Sequence, residues 1–196
     1  MTSTELLPQE APAELGRAVP FKMAHLVYSC RKREETVTWY LKMFQAHIVF
    51  RDDVLTFITY DDEHHRLAFF NSPDIPLRPT GSAGVHHVAY SFRVIGELLA
   101  NYVRLKALGI LPFWSINHGP TTSLYYRDPE ANDVEFQVDN YPTSAESAAF
   151  FHSETFARNP IGVEFDADEM VKMWQAGASD AELCLLGTAA INPTPQ

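Results

Sequence analysis

An order of elements that occurs twice constrains this chain more than any other feature. Residues 22–30 (KMAHLVYSC) are short and β-rich. Residues 33–44 then place Val37, Tyr40, Leu41 and Phe44 at helical spacing, which predicts an amphipathic helix with one apolar face. Three short β-like runs follow at 46–51, 54–60 and 65–71, with Asp52-Asp53 and Asp61-Asp62 at the turns. Pro73, Pro76, Pro79 and Gly81 form a linker signal. After it the same order returns. Residues 85–92 (VHHVAYSF) predict a strand. Ile95, Leu98, Leu99, Tyr102 and Val103 predict a second amphipathic helix, stopped by Gly109. Strands are expected at 111–117, 123–126 and 134–138, with Asp128-Pro129 and Asn132-Asp133 in the last turn. A βαβββ unit repeated after about 60 residues fixes the architecture before any residue is given a role. Two such units set their sheets side by side around a cleft, and strand alternation decides which side chains enter it.

The flanks differ from the duplicated body. Residues 1–20, rich in Pro, Ala and Glu, are expected to form an arm. Residues 145–156, carrying Phe150, Phe151 and Phe156, predict a helix or an irregular cover. Asp166 followed by Glu169 has the form of a capping box, opening a short helix through Met170, Met173 and Trp174. The terminal INPTPQ is expected to fray. The chain divides into an arm (1–20), a duplicated domain (21–140, units 21–72 and 84–140) and a C-terminal helical extension (141–196).

Charge and composition remove some functions. The formal net charge is −10, which opposes nucleic acid or an anionic membrane surface as a partner, since both require clustered Lys and Arg. No run of about 18 apolar residues predicts a membrane span. The opening MTSTELLPQE lacks the basic-then-apolar pattern of a secretory signal. Cys30 and Cys184 have neither metal-ligand spacing nor the density of a disulfide framework, so a reduced, cytoplasmic protein is expected.

Three residues combine into a candidate site. His25 (AHLVY) and His87 (HHVAY) occupy equivalent places in the two opening strands, and Glu135 interrupts the apolar closing strand DVEFQV. A carboxylate buried there is costly unless it is paired or bound to a metal. Two imidazoles and one carboxylate facing one cleft are the ligand set of the facial triad, which suits Fe(II) and leaves positions open. The plain alternatives are two structural histidines and an acid at a wet sheet edge. His86 and His87 are adjacent, so on a strand they face opposite sides and at most one can serve.

The segments AHLVYSCRKREETVTWYLKMF, EHHRLAFF, GVHHVAYSF and NHGPTTSLYYRDPEANDVEFQVDN resemble the vicinal oxygen chelate superfamily (glyoxalase/bleomycin resistance/dioxygenase), and within it the type I extradiol ring-cleavage dioxygenases. The likeness spans about 21–140, and the downstream NPIGVEFDADEM is similar to the tail of single-domain members. It implies an α+β fold in which two tandem βαβββ modules form a half-open mixed β-barrel with flanking helices. It also implies a mononuclear Fe(II), with Mn(II) as the alternative, held by His25, His87 and Glu135. The family's catalytic histidine falls on His65, its substrate-side histidine on His118 and its tyrosine near the metal on Tyr125. Ala131 stands where the family usually has Gly. The implied partners are a small aromatic diol, O2 and, in a homodimer, a second copy of the chain.

His65 is the expected proton acceptor and donor, because an imidazole near neutrality can do both. Tyr125 is expected to hydrogen-bond the deprotonated substrate oxygen, with Tyr126 facing the other way, and His118 to contact oxygen or the substrate rim. Phe69, Phe113, Trp114, Phe150 and Phe151 are either pocket walls or core. Two other functions fit the same fold. The resemblance implies that a metal-dependent isomerase, lyase or cyclase of the glyoxalase or epimerase type usually takes a fourth protein ligand, and the position matching Glu135 in the first unit is Ala68. A metal-free small-molecule binding protein would leave the three donors without a purpose.

Overall fold

The computed structural model of the protein describes residues 19–191 apart from 77 and 80. Most of the arm expected at 1–20, and all but the first residue of INPTPQ, lie outside that range.

The first unit runs β1 (Leu26–Cys30), α1 (Arg33–Phe44), β2 (His47–Arg51), β3 (Leu55–Thr59) and β4 (Leu67–Asn71). The second runs β5 (His87–Phe92), α2 (Ile95–Ala107), β6 (Trp114–Asn117), β7 (Thr121–Arg127) and β8 (Asp133–Asp139). Each helix forms where apolar residues recur at helical spacing. Val37, Tyr40 and Met43 of α1, and Ile95, Leu98, Leu99, Tyr102 and Leu105 of α2, are buried. After α2 the chain turns at Gly109 (φ 75°), whose N–H donates to the Lys106 carbonyl while Ile110 N–H donates to that of Leu105.

The strand orders show the duplication. One sheet reads β1-β4-β3-β2, and the other begins β5-β8-β7-β6. In both, the opening strand is parallel to the closing one and the remaining pairs are antiparallel. The registers also correspond: Val27 pairs with Ala68 and Ala89 with Glu135, so Ala68 holds in the first sheet the place of Glu135 in the second. The half-open barrel takes the form of two open sheets, each hydrogen-bonded within itself.

The two units share one core. It includes Tyr40, Met43, Ile58, Leu67 and Phe69 from the first and Leu98, Leu124, Tyr126, Val134 and Phe136 from the second. Phe44, at the end of α1, packs edge-on against Tyr90 (4.6 Å between ring centroids) and Phe136 (5.1 Å). Arg104 of α2 donates to the carbonyls of Lys42 and Met43. Phe69, considered above as a pocket wall, is fully buried core.

The C-terminal extension is helical with one exception. Helices α3 (Ser144–Phe150) and α4 (Glu154–Arg158) are capped by Thr143 and Ser153. A two-residue strand, β9 (Val163–Glu164), then adds to the free edge of β6, pairing Ile116 with Glu164 and Asn117 with Val163. The sequence pattern did not predict it. Helix α5 (Ala167–Gln175) packs on α2, and α6 (Asp180–Leu183) follows. Asp166 caps α5 by accepting from the N–H groups of Asp168 and Glu169, but Glu169 turns to Lys172 instead of completing the box. The reciprocal box belongs to α6, between Ser179 and Glu182.

Candidate functional site

Alternation along the second sheet separates two environments. Tyr90, Phe92, Val134, Phe136, Val138, Leu124 and Tyr126 turn to the core. His87, Glu135 and Tyr125 lie on the opposite face, brought together by the pairing of β8 with β5 and β7. Glu135 is 4% exposed, and its Oε2 lies 3.0 Å from Nε2 of His87. A buried carboxylate needs such a partner, because leaving it unpaired would cost several kcal/mol. Tyr125 sits opposite Glu135 in the register, and its ring meets His87 edge-on at 5.3 Å. Burial, and then the Glu135 carboxylate, push the Tyr125 phenol above its usual pKa. Tyr126 is core, as alternation requires.

Beside this group, Nε2 of His118 lies 3.0 Å from the Tyr125 hydroxyl, and Nδ1 of His118 is hydrogen-bonded to the Ile161 carbonyl. Trp114 (4.9 Å between centroids) and Phe113 (6.3 Å) flank the Tyr125 ring. Trp114 and Phe113 thus lie beside the Tyr125 ring, whereas Phe150 and Phe151 pack with Phe156 in the extension.

His25 and His65 belong to the first sheet. His25 precedes β1 by one residue and His65 precedes β4 by two, so turns rather than strands set their positions. Arg66 fastens these turns together: its Nε contacts Asp61, and its Nη1 donates to the carbonyls of Met23 and Ala24. An ion pair between Lys22 and Glu63 reinforces the link. The result is a stack in which His65 lies 4.5 Å from His25 on one side and 4.5 Å from Phe57 on the other. Burial, then the neighbouring His25 and His64, hold the His65 pKa below the ordinary imidazole value. His86 also precedes its strand, so the opposite-face argument does not govern it; its Nδ1 is 2.9 Å from that of His87.

The donor chemistry fits a divalent ion taking imidazole nitrogen and carboxylate oxygen. His87 and Glu135 already converge as two such donors. His25 stands apart from them with His65, and among the described residues no group of three or more His, Cys, Asp or Glu side chains is close enough to hold an ion. Ala68, buried in the first sheet, offers no fourth donor. Sequence reasoning did not identify Gly162 and Glu164, which hold the extension against His118 and Trp114. The alternating GVEF after a Pro was the available signal, though its partners, Ile116 and Asn117, lie far upstream in the chain.

Residues 22–136 match the family described as the Glyoxalase/Bleomycin resistance protein/Dioxygenase superfamily. Over 146 residues the chain is 44% identical to biphenyl-2,3-diol 1,2-dioxygenase 2 of Rhodococcus globerulus, covering 74% of this chain and 77% of that one. It is 37% identical to biphenyl-2,3-diol 1,2-dioxygenase 3 of the same organism, covering 83% and 86%. Among solved structures, the fosfomycin resistance protein FosX of Listeria monocytogenes superposes with a TM-score of 0.50 at 16% identity, over 66% of this chain and 99% of that one, a likeness of fold alone. The chain belongs to the Glyoxalase/Bleomycin resistance protein/Dioxygenase superfamily, and to the dioxygenases within it.

Proposed function

We propose that this enzyme, an extradiol ring-cleaving dioxygenase, opens a catechol-type ring with O2 at a single Fe(II) held by His25, His87 and Glu135. Mn(II) is the alternative ion. The observation that carries the assignment is the buried Glu135 carboxylate joined to His87 beneath Tyr125, on the sheet face turned away from the core. Relatives named for a biphenyl-2,3-diol support a substrate with two adjacent hydroxyls on an aromatic ring. The catalytic unit in this reading is 21–140, with 141–196 as its cover. The enzyme is cytoplasmic and works as a homodimer. Its charge of −10 speaks against nucleic acid or a membrane surface as a further partner. No helix among the described residues is long and apolar enough to cross a membrane.

A ferrous ion bound there supplies positive charge that eases ionisation of the diol and a redox centre accessible to oxygen. The chain's own residues do the rest. His65, whose pKa is lowered by burial and by its histidine neighbours, takes a proton from one substrate hydroxyl and later returns it. Tyr125 hydrogen-bonds a substrate oxygen, and Trp114 and Phe113 wall the ring on that side. His118 holds the Tyr125 hydroxyl in place.

The test is anaerobic reconstitution with Fe(II), followed by a panel of catechols and then oxygen. A yellow ring-fission product with matching oxygen uptake is expected, and Glu135→Gln should lose both iron and turnover. Iron bound by the wild type without oxygen uptake on any catechol would sink the assignment. Oxygen-independent turnover supported by Zn(II) would redirect it to the isomerases and lyases.

A further inference from the structure

The C-terminal extension reaches His118, where its Ile161 carbonyl meets Nδ1 of the ring. The inference drawn from this contact rests on the function proposed above and concerns residues 159–164, beyond the 22–136 family match. The segment crosses the end of β6 as a strap. Its β9 residues pair with Ile116 and Asn117, and Phe165 N–H donates to the Ser115 carbonyl at 3.1 Å. Trp114 Nε1 donates to Glu164 at 2.7 Å. At the turn into the strap, Asn159 Oδ1 accepts from Ile161 N–H (3.2 Å) and Gly162 N–H (3.0 Å), while Asn159 Nδ2 donates to the Gly162 carbonyl (2.6 Å).

Contact is closest at Gly162. Its φ is +114°, and a Cβ there would run into the Asn117 carbonyl oxygen and the His118 Cα. Only glycine permits both the conformation and the approach. The approach brings the Ile161 carbonyl onto Nδ1 of His118. A carbonyl oxygen only accepts, so the facing Nδ1 must carry the hydrogen. In the neutral imidazole Nε2 is then bare, and it faces the Tyr125 hydroxyl at 3.0 Å.

We infer that the 159–164 strap is the positioning element that locks His118 as its Nδ1–H tautomer, so that Tyr125 donates to His118. A phenol that donates its single proton to His118 turns only lone pairs to its other neighbours. The strap residues act through His118 and Tyr125 without touching substrate.

The test uses full-length protein with 15N-labelled histidine, with the His118 signals identified by comparison with His118→Asn. Wild type should show a single Nδ1–H tautomer at His118. Gly162→Ala should give a mixture of tautomers and lower kcat about tenfold to a hundredfold, with KM within about twofold. Asn159→Ala loosens the same turn without adding an atom, and should move both readouts in the same direction should Gly162→Ala prove unfolded. A His118 that stays in the Nδ1–H form in the folded variant, or a mixture that leaves kcat unchanged, would overturn the inference. Wild-type protein inactive on every catechol overturns the proposed function instead, and the tautomer can still be read.

Discussion

Ala131 occupies a left-handed conformation (φ 66°) in the turn between β7 and β8. Asp128 organises that turn by accepting from the N–H groups of Glu130 (2.9 Å) and Asn132 (2.7 Å) and from the Asn132 side chain (2.9 Å). Burial raises the Asp128 pKa, and these hydrogen bonds offset the rise only in part. The carboxylate is thus committed to the turn, and residue 131 must accept the backbone that results. A non-glycine residue there carries about 1–2 kcal/mol of strain, while glycine adds about 0.5–1 kcal/mol of chain entropy to the unfolded state. Ala131→Gly should therefore stabilise the protein by about 0.5–1 kcal/mol, raising Tm by about 2 °C in thermal denaturation; Ala131→Val should lower it. Glu135 could be found in the sequence because an acid in an apolar strand must have a partner. His65 could not be found from its own neighbours, since a histidine before a strand resembles any solvated turn residue. Gly162 was equally hidden, because the backbone it must approach is His118, far away in the chain.

The helices were legible where their periodicity was strong, and α1 spans the residues that Val37, Tyr40 and Phe44 predict. Strand ends shifted by one to four residues, since pairing partners, not propensity, decide where a ladder begins. β9 escaped notice because two residues have no period; only the free edge of β6 makes them a strand. The seating of α5 on α2 was also a tertiary matter. Asp168, in the first turn of α5, accepts from the Tyr102 hydroxyl at 2.8 Å and pairs with Lys106. The Lys106 and Tyr102 hydrogen bonds hold its pKa below the ordinary carboxylate value. A folded-state pKa that is lowered contributes stability above the unfolded pKa, and that stability is lost as pH falls through the folded one. The exposed pair contributes less than about 1 kcal/mol. Asp168→Asn should accordingly lower the neutral-pH unfolding midpoint slightly. As pH falls below the ordinary Asp value of about 4 the gap should narrow, and it should close only below the lowered folded-state pKa, where the wild-type carboxylate is uncharged as well. A gap that stayed constant down to strongly acidic pH would show that the charge is irrelevant to the docking.

Across the whole molecule, the two units meet through the faces that carry Tyr28, Phe69, Tyr90 and Phe136, with Phe44 between them. The donors occupy the other faces: His25 with His65 on the first, His87 with Glu135 on the second. The first of these faces is open, with Val27 51% and Phe70 42% exposed. The duplication told where equivalent donors lie in each unit, but a repeat has no register for which unit closes on which. The homodimer proposed above would complete the site if His25 of one copy met His87 and Glu135 of the other, since core packing already engages the opposite faces within a chain. His25→Ala and Glu135→Gln, each expressed alone, should then retain little Fe(II) or Co(II). Co-expressed with different tags, they should regain about a quarter of the wild-type metal, because half of randomly formed dimers are mixed and each mixed dimer has one intact site of two. Ring cleavage should return in the same proportion. Mixed dimers isolated through both tags but devoid of metal would place the closure within one chain, because no mixture of these variants contains a copy with all three donors.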